Sequence, residues 1–400
     1  MNYKRIAKMI IPQACVVPAI RAYRFWNRLT SGRKLIDTEY KVITFSRKNV
    51  NCFFGYYDIS PFGTNGRVIY HEIDEKKGTC SIVMNNIEGT NRKVIATTNA
   101  WNWQQGSRLR WFPNQQNVVV FNDMIDNQYV SRRINVCTGE ENHFQFPLYD
   151  ISEDGKFGLS LDFTRLGYKR PGYGYTNLPF DTNEDIRDSG IELYDLKEHK
   201  LLKTLTYKEI AKSIGKPTDN YISYYLNHLS FSPSGNEFLF FFLQDEVNNF
   251  KASLLVYKIS EDKIVPLETE LKVSHYDWLN DDTIICTACD NKGNFHYYSY
   301  DVKSAKKVEV SPTSLNVDGH PTYISKDQIV TDTYPDTKGY QHLKLVSLKD
   351  DSYEIVASIF DYKVKDAERR TDLHPRYYNK MISFDANTSG LRSFNILFLR

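Results

Sequence analysis

The chain has 400 residues, with 51 Lys and Arg against 49 Asp and Glu and a formal net charge of +2. So even a balance offers no chain-wide basic field for a phosphate backbone, which excludes nucleic acid as an expected partner. The length exceeds the usual single hydrophobic core, so the chain needs either two or three domains or one closed repeat architecture.

Residues 1–35 form a first unit that is basic, lacks any acidic residue and mixes apolar with aromatic side chains. Its apolar part is too short to span a bilayer, and Lys8 and Pro12 interrupt it as a signal-peptide core. Two readings stand: a leader packing on the following domain, or a peripheral contact with an anionic membrane face. The expected location is cytoplasmic, in association with a membrane, with the periplasm as the alternative.

Residues 36–400 read as all-β. Short β-prone runs alternate with turn residues, and helical periodicity shows only near "TYKEIAKSIGK". The 28 Tyr and 23 Phe suit strands and also suit platforms that stack on sugar rings. A polar residue, an apolar strand, a Ser-Pro or Asp-Gly type turn and a second apolar strand recur in seven copies, starting at Tyr56, Arg108, Leu148, His228, His275, His320 and His374. Intervals of 52, 40, 80, 47, 45 and 54 residues match one four-stranded propeller blade each, except at the third. The expected fold is therefore a seven-bladed β-propeller closed by an N-terminal strand, with residues 40–46 pairing with residues 393–399 to remove the open edges.

The long third interval carries "TRLGYKRPGYGYTNLPF", a cationic and aromatic insertion. Long loops in compact repeats are commonly functional, so Arg165, Arg170, Tyr173 and Tyr175, with Tyr168 and Lys169 beside them, are candidate ligand contacts. The six cysteines are scattered and expected to be reduced thiols, and the lone Cys286-x-x-Cys289 pair has no partner pair to complete a zinc site.

In a propeller the first strand of each blade lines the central channel, so one register position in successive blades meets near the axis. Four of the nine histidines, His228, His275, His320 and His374, occupy that position in four successive units. Two residues further along stand Asp58, Arg110, Asp150, Ser230, Asp277, Thr322 and Arg376, an ionisable lining. Imidazoles in convergence are usual proton carriers or metal ligands, so His275, His320 and His374 are the expected ligands of a divalent metal, manganese or zinc. Imidazole beside arginine and tyrosine suits an anionic ligand, and no phosphate-cradling glycine loop is present, which favours carboxylates.

The segments "HLSFSPSG", "DGHPTYISKDQIVTDTYPD" and "TDLHPRYYNKMISFDAN" resemble TolB-like propellers and, within them, the oligogalacturonate lyase family; "RPGYGY" resembles a loop of propellers associated with surface or capsular polysaccharides. The resemblance implies a seven-bladed propeller that cleaves uronic-acid polysaccharide by β-elimination, using histidines, an arginine and a divalent metal. That family's metal set includes a glutamine and a closely spaced histidine pair, and the segments that carry the resemblance place neither. β-Elimination needs a neutraliser of the carboxylate, a base and an acid. Arg108, Arg165 and Arg376 or the metal are candidates for the first, His228 for the base, and Tyr56 or Tyr225 for the acid. The alternative function is a non-catalytic propeller that binds a glycan or a protein during surface-polysaccharide assembly.

Overall fold

The computed structural model describes residues 13–182, 185–217, 223–246 and 249–400, with the side chains of 13–15, 246, 249 and 250 left out. Residues 1–12 of the basic leader thus lie outside the described residues. The strands form seven antiparallel sheets, one for each repeat unit. Blade four shows the pattern most fully, with strands Tyr224–Phe231, Glu237–Glu246, Asn249–Lys258 and Lys263–Glu268.

Burial explains the composition of the strands. The second strand of blade four reads "EFLFFFLQDE" with Phe238 through Leu243 all buried, because neighbouring blades cover both of its faces. The second strand of blade seven, Met381–Ala386, is likewise buried at every residue. The fourth strand of blade five, Lys307–Glu309, is exposed at every residue and reads Lys-Val-Glu. Each buried Phe or Leu of the inner strands contributes about 1.5–3 kcal/mol relative to exposure, so the core lies between blades rather than at the rim.

Lys41–Phe45 pairs antiparallel with the last strand, Lys41 opposite Phe398 and Phe45 opposite Phe394, and so supplies the outer strand of blade seven. Ile36–Asp37 adds a short fifth strand to blade six, opposite Ile359 and Ser358. Ahead of it, Gln13–Ser31 forms a helix.

The insertion lies between the second and third strands of blade three, Phe157–Ser160 and Gly190–Asp195. It opens as a helix, Phe163–Lys169, because the Asp162 carboxylate accepts from the Arg165 backbone N–H at 2.9 Å and caps the free amides of the first turn. The chain then turns back so closely that a Cβ on Gly174 would stand 2.1 Å from the Gly167 nitrogen. Only glycine fits that crossing. A second short helix, Tyr207–Ser213, coincides with the helical stretch legible in the sequence and starts at a Thr206–Glu209 capping box.

Candidate functional site

The four register histidines converge. Ring centroids of His275 and His320 lie 3.9 Å apart, those of His320 and His374 4.5 Å, and those of His228 and His275 6.1 Å. Tyr57 stands among them, within 5.2 to 6.2 Å of all four rings, and its hydroxyl is fixed by donating to the Tyr276 carbonyl at 2.8 Å. Tyr56 lies edge-on to His228 and His374 at 4.6 and 4.8 Å, with its hydroxyl in a short contact with His228 Nε2.

Backbone geometry explains how two of these histidines, and Arg108 at the same register, turn inward. Arg108, His228 and His374 have φ of 54°, 57° and 47°, a left-handed conformation that non-glycine residues rarely adopt. At His228 the ladder is broken by a bulge between Asn227 and Ser230, which redirects the side chain out of the alternating pattern. Strain of this kind in three blades at one register marks the axis as a built site.

The second nitrogens of the imidazoles separate two kinds of histidine. His71, off the register, has Nδ1 bonded to the Phe54 carbonyl at 2.9 Å and Nε2 to the Ser107 hydroxyl at 2.8 Å, and burial pushes its pKa down to about 4. It is saturated. His374 donates from Nδ1 to the Gly55 carbonyl at 2.8 Å, while His320 Nδ1 lies 2.8 Å from Asp332 Oδ1. The Nε2 atoms of His320 and His374 are buried without a partner. One oxygen of Asp372 and one nitrogen each of His320 and His374 lie within 4.8 Å of one another, the one such donor group of three among the described residues.

These donors fit a divalent cation. Burial, with the neighbouring His320 and Arg376, holds His374 well below its ordinary pKa, so the ring is neutral and Nε2 presents a lone pair. Burial also opposes charge on His320, but Asp332 outweighs it and raises that pKa. A carboxylate behind a ligating imidazole is the usual outer support of a metal-binding histidine. Asp332 does more than support one ring: its carboxylate also accepts from the backbone N–H of His320 at 2.8 Å and of His374 at 3.1 Å. His275 stands next to the group, with Nδ1 3.2 Å from Asp318 and a pKa lowered by burial and by His320.

Beside His228 a cavity of about 20 Å³ is lined by Tyr56, Arg170, Tyr173, Asn227, His228 and His275, among others. It has room for about one water. Arg170 lies over the Tyr173 ring at 4.6 Å, and Arg370 donates to the Tyr173 hydroxyl at 2.9 Å and to Asp372 at 3.0 Å. The insertion therefore roofs this end of the channel and is tied to the donor group through Arg370. Burial, with the neighbouring His275 and Arg108, pushes the His228 imidazole well below its ordinary range, whereas burial raises Tyr56 well above its own. The pair is thus a neutral imidazole and a neutral phenol.

Other expected contacts are packed elsewhere. Arg165 is buried, with Nε donating to the Tyr224 carbonyl at 2.8 Å, and Tyr175 is buried on Phe163 with its hydroxyl accepting from Asn122 at 3.0 Å. Both are correct positions for holding the insertion down and wrong ones for touching a ligand, because the tight Gly167–Gly174 crossing turns them inward. Tyr168 is exposed and stacks on Phe180, and Lys169 pairs with Asp245 at 2.8 Å. Tyr225 is buried, and the adjacent Arg170 works against the burial that raises its pKa.

Arg108 spans Asp58 at 2.9 and 3.2 Å and the Tyr149 carbonyl at 2.8 Å. Arg376 donates to the Gly55 and Tyr56 carbonyls and to Asp385, which in turn accepts from the Phe54 and Gly55 amides. The two arginines hold the loop that carries Tyr56. The residues two positions along also behave differently from a continuous lining: Asp58, Arg110, Asp277, Thr322 and Arg376 line a separate cavity of about 320 Å³ that shares Tyr57 with the histidine cluster. Tyr57 thus stands between that cavity and the four histidine rings. Cys286 is buried and Cys289 partly so, both as free thiols.

Asp372, Asp332, Arg370 and Asn227 were not expected from the sequence. Asp372 alone carried a local signal, since it precedes His374 by two residues in "TDLHPRY".

No protein-family model matches the sequence, and no curated protein matches it. Among solved structures, the chain is similar to an oligogalacturonate lyase in complex with manganese, at 13% identity over 91% of this chain and 94% of that one, with a TM-score of 0.66. It is also similar to the oligogalacturonate lyase of Vibrio parahaemolyticus, at 10% identity over 92% and 99% of the two chains and a TM-score of 0.60. TolB from Acinetobacter baumannii matches less well, at 14% identity and a TM-score of 0.42 over 74% of this chain and 64% of that one. The chain shares the seven-bladed propeller fold of the lyases.

Proposed function

We propose that the protein is a lyase-like propeller that cleaves an acidic, uronic-acid-containing oligosaccharide by β-elimination at the histidine cluster. The observation that carries this reading is the pairing of two unpartnered buried imidazole nitrogens with Asp372, beside a neutral histidine–tyrosine pair, on the axis of this fold. His320, Asp372 and His374 would hold a divalent cation, with His275 at their edge; when bound, it supplies a Lewis acid that withdraws charge from the substrate carboxylate. The closely spaced Asp372 and His374 supply two of the three donors.

His228, kept neutral, takes the proton at C5 of the uronate. The electrons of that C–H bond form the C4–C5 double bond, the C4–O4 bond breaks, and the departing oxygen takes a proton from the Tyr56 hydroxyl. Arg170, which lines the cavity beside His228, and Arg370, which bridges Asp372 and Tyr173, are the cations nearest the donor group and the ones this reading sets against the carboxylate. Surface polysaccharide is the glycan class this reading favours. Incubation of the metal-loaded protein with a panel of uronic-acid polysaccharides tests it: an unsaturated product absorbing in the ultraviolet is expected, and no product from any member of the panel would sink it.

A second reading, a non-catalytic glycan-binding propeller, is favoured by the small size of the cavity beside His228. It predicts binding without an unsaturated product.

A further inference from the structure

We propose that the N-terminal helix rests the propeller on an anionic lipid surface through its aromatic face. This inference is independent of the chemistry on the axis and rests on an inverted arrangement of side chains. At 3.6 residues per turn, Gln13–Ser31 presents two faces. The one against the propeller carries the arginines. Arg24 pairs with Asp361 at 2.5 Å, with its stem lying over Gly339, where a Cβ would approach to 2.6 Å. Arg21 donates to the Lys363 carbonyl at 2.8 Å and lies over the Tyr362 ring at 4.6 Å. Arg28 lies between Phe360, at 6.0 Å, and the Phe25 ring at the edge of the opposite face, at 5.2 Å. The cations are used for docking to blade six and the segment that follows it.

The opposite face is uncharged and exposed: Tyr23 is 54% exposed, Phe25 52%, Trp26 62% and Leu29 58%, with Ala19 and Ala22 between them. A surface helix of a water-facing domain buries its apolar stripe and shows its charges. Here the stripe is outward. Tyr, Trp and Phe beside Leu are the side chains that settle at the headgroup level of a bilayer.

Charge selects the occupant. Residues 1–35 hold eight Lys or Arg and no Asp or Glu, a charge of +8, so the remaining residues carry 2 − 8 = −6. A second copy would bring a like-charged leader to the same face, whereas an anionic leaflet complements the charge of the leader. Among the described residues no helix is long and apolar enough to cross a membrane, so the mode is contact with the surface.

The test is co-sedimentation of the full chain with vesicles of phosphatidylcholine alone and of phosphatidylcholine with phosphatidylglycerol, run beside light-scattering measurement of the oligomeric state. Wild type should sediment with the anionic vesicles and be released by salt. Phe25→Ser/Trp26→Ser/Leu29→Ser should weaken partition by about a hundredfold or more, with an unchanged melting temperature. Should the triple variant fail to fold, Trp26→Ser alone is read in the same way. No sedimentation of wild type, sedimentation unaffected by the substitutions, or a wild-type dimer that the triple variant dissolves would overturn the proposal.

Discussion

Whether a buried histidine is structural or reactive turns on where its second nitrogen goes. His71 has both nitrogens bonded, and His374 has one buried nitrogen left over. Titration calorimetry with manganese should therefore give one site per chain in the wild type, lost in His374→Ala and in Asp372→Asn. Asp332→Asn, which leaves the donors in place but loosens two of them, should weaken affinity by about 10- to 100-fold; unchanged affinity would remove Asp332 from its supporting role. The four histidines were legible in the sequence because strand register repeats with the blade. Their supports were not. Asp332 reaches His320 from the second strand of the same blade and His374 from the preceding blade, and Asp318 reaches back 43 residues to His275. Nor does a residue type announce the left-handed backbone that swings Arg108, His228 and His374 inward.

The insertion is the element whose composition invited one role and whose packing assigns two. Arg165 and Tyr175 anchor it, and Arg170 and Tyr173 face the cavity beside His228. Arg165→Ala should cost about 2–4 kcal/mol, since it removes a fully buried side chain together with its hydrogen bond to the Tyr224 carbonyl. Arg170→Gln/Tyr173→Phe, which keeps the buried Tyr173 ring in the core, should leave the melting temperature nearly unchanged and weaken binding of an acidic oligosaccharide. The reverse pattern would make the whole loop a packing device. In blade one, burial alone would raise the Glu72 carboxyl, but Arg92 and Arg47 outweigh it and hold its pKa below the ordinary 4.5. The stabilisation this gives is complete above the ordinary value and is lost as pH falls through the lowered one. Glu72→Gln should thus cost about 1 kcal/mol near neutrality, a small figure because both arginines are partly exposed, and the difference from wild type should vanish in acid. Denaturant melts across that range would show it.

The whole molecule is a ring held by its ends, and its seven units were readable because inner strands are apolar on both faces and outer ones are not. The tie of Lys41–Phe45 to Ser393–Phe398 predicts that removing residues 1–34 spares the propeller, whereas removing residues 1–46 uncovers the edge of blade seven and brings a lower melting temperature and aggregation. Less visible in the sequence was the second cavity, since strand alternation gives no hint that Tyr57 lines it while standing among the four histidines. The proposed chemistry is assigned to the histidine cluster, which Arg370 ties to the insertion through Asp372 and Tyr173. The most direct test of this assignment is mass analysis of the products that the manganese-loaded protein releases from a defined uronic-acid oligosaccharide, compared with those from His228→Ala. Elimination gives two fragments whose masses sum to that of the substrate with no water added, and His228→Ala gives none. Fragments that together carry one added water, or undiminished cleavage by His228→Ala, would contradict it.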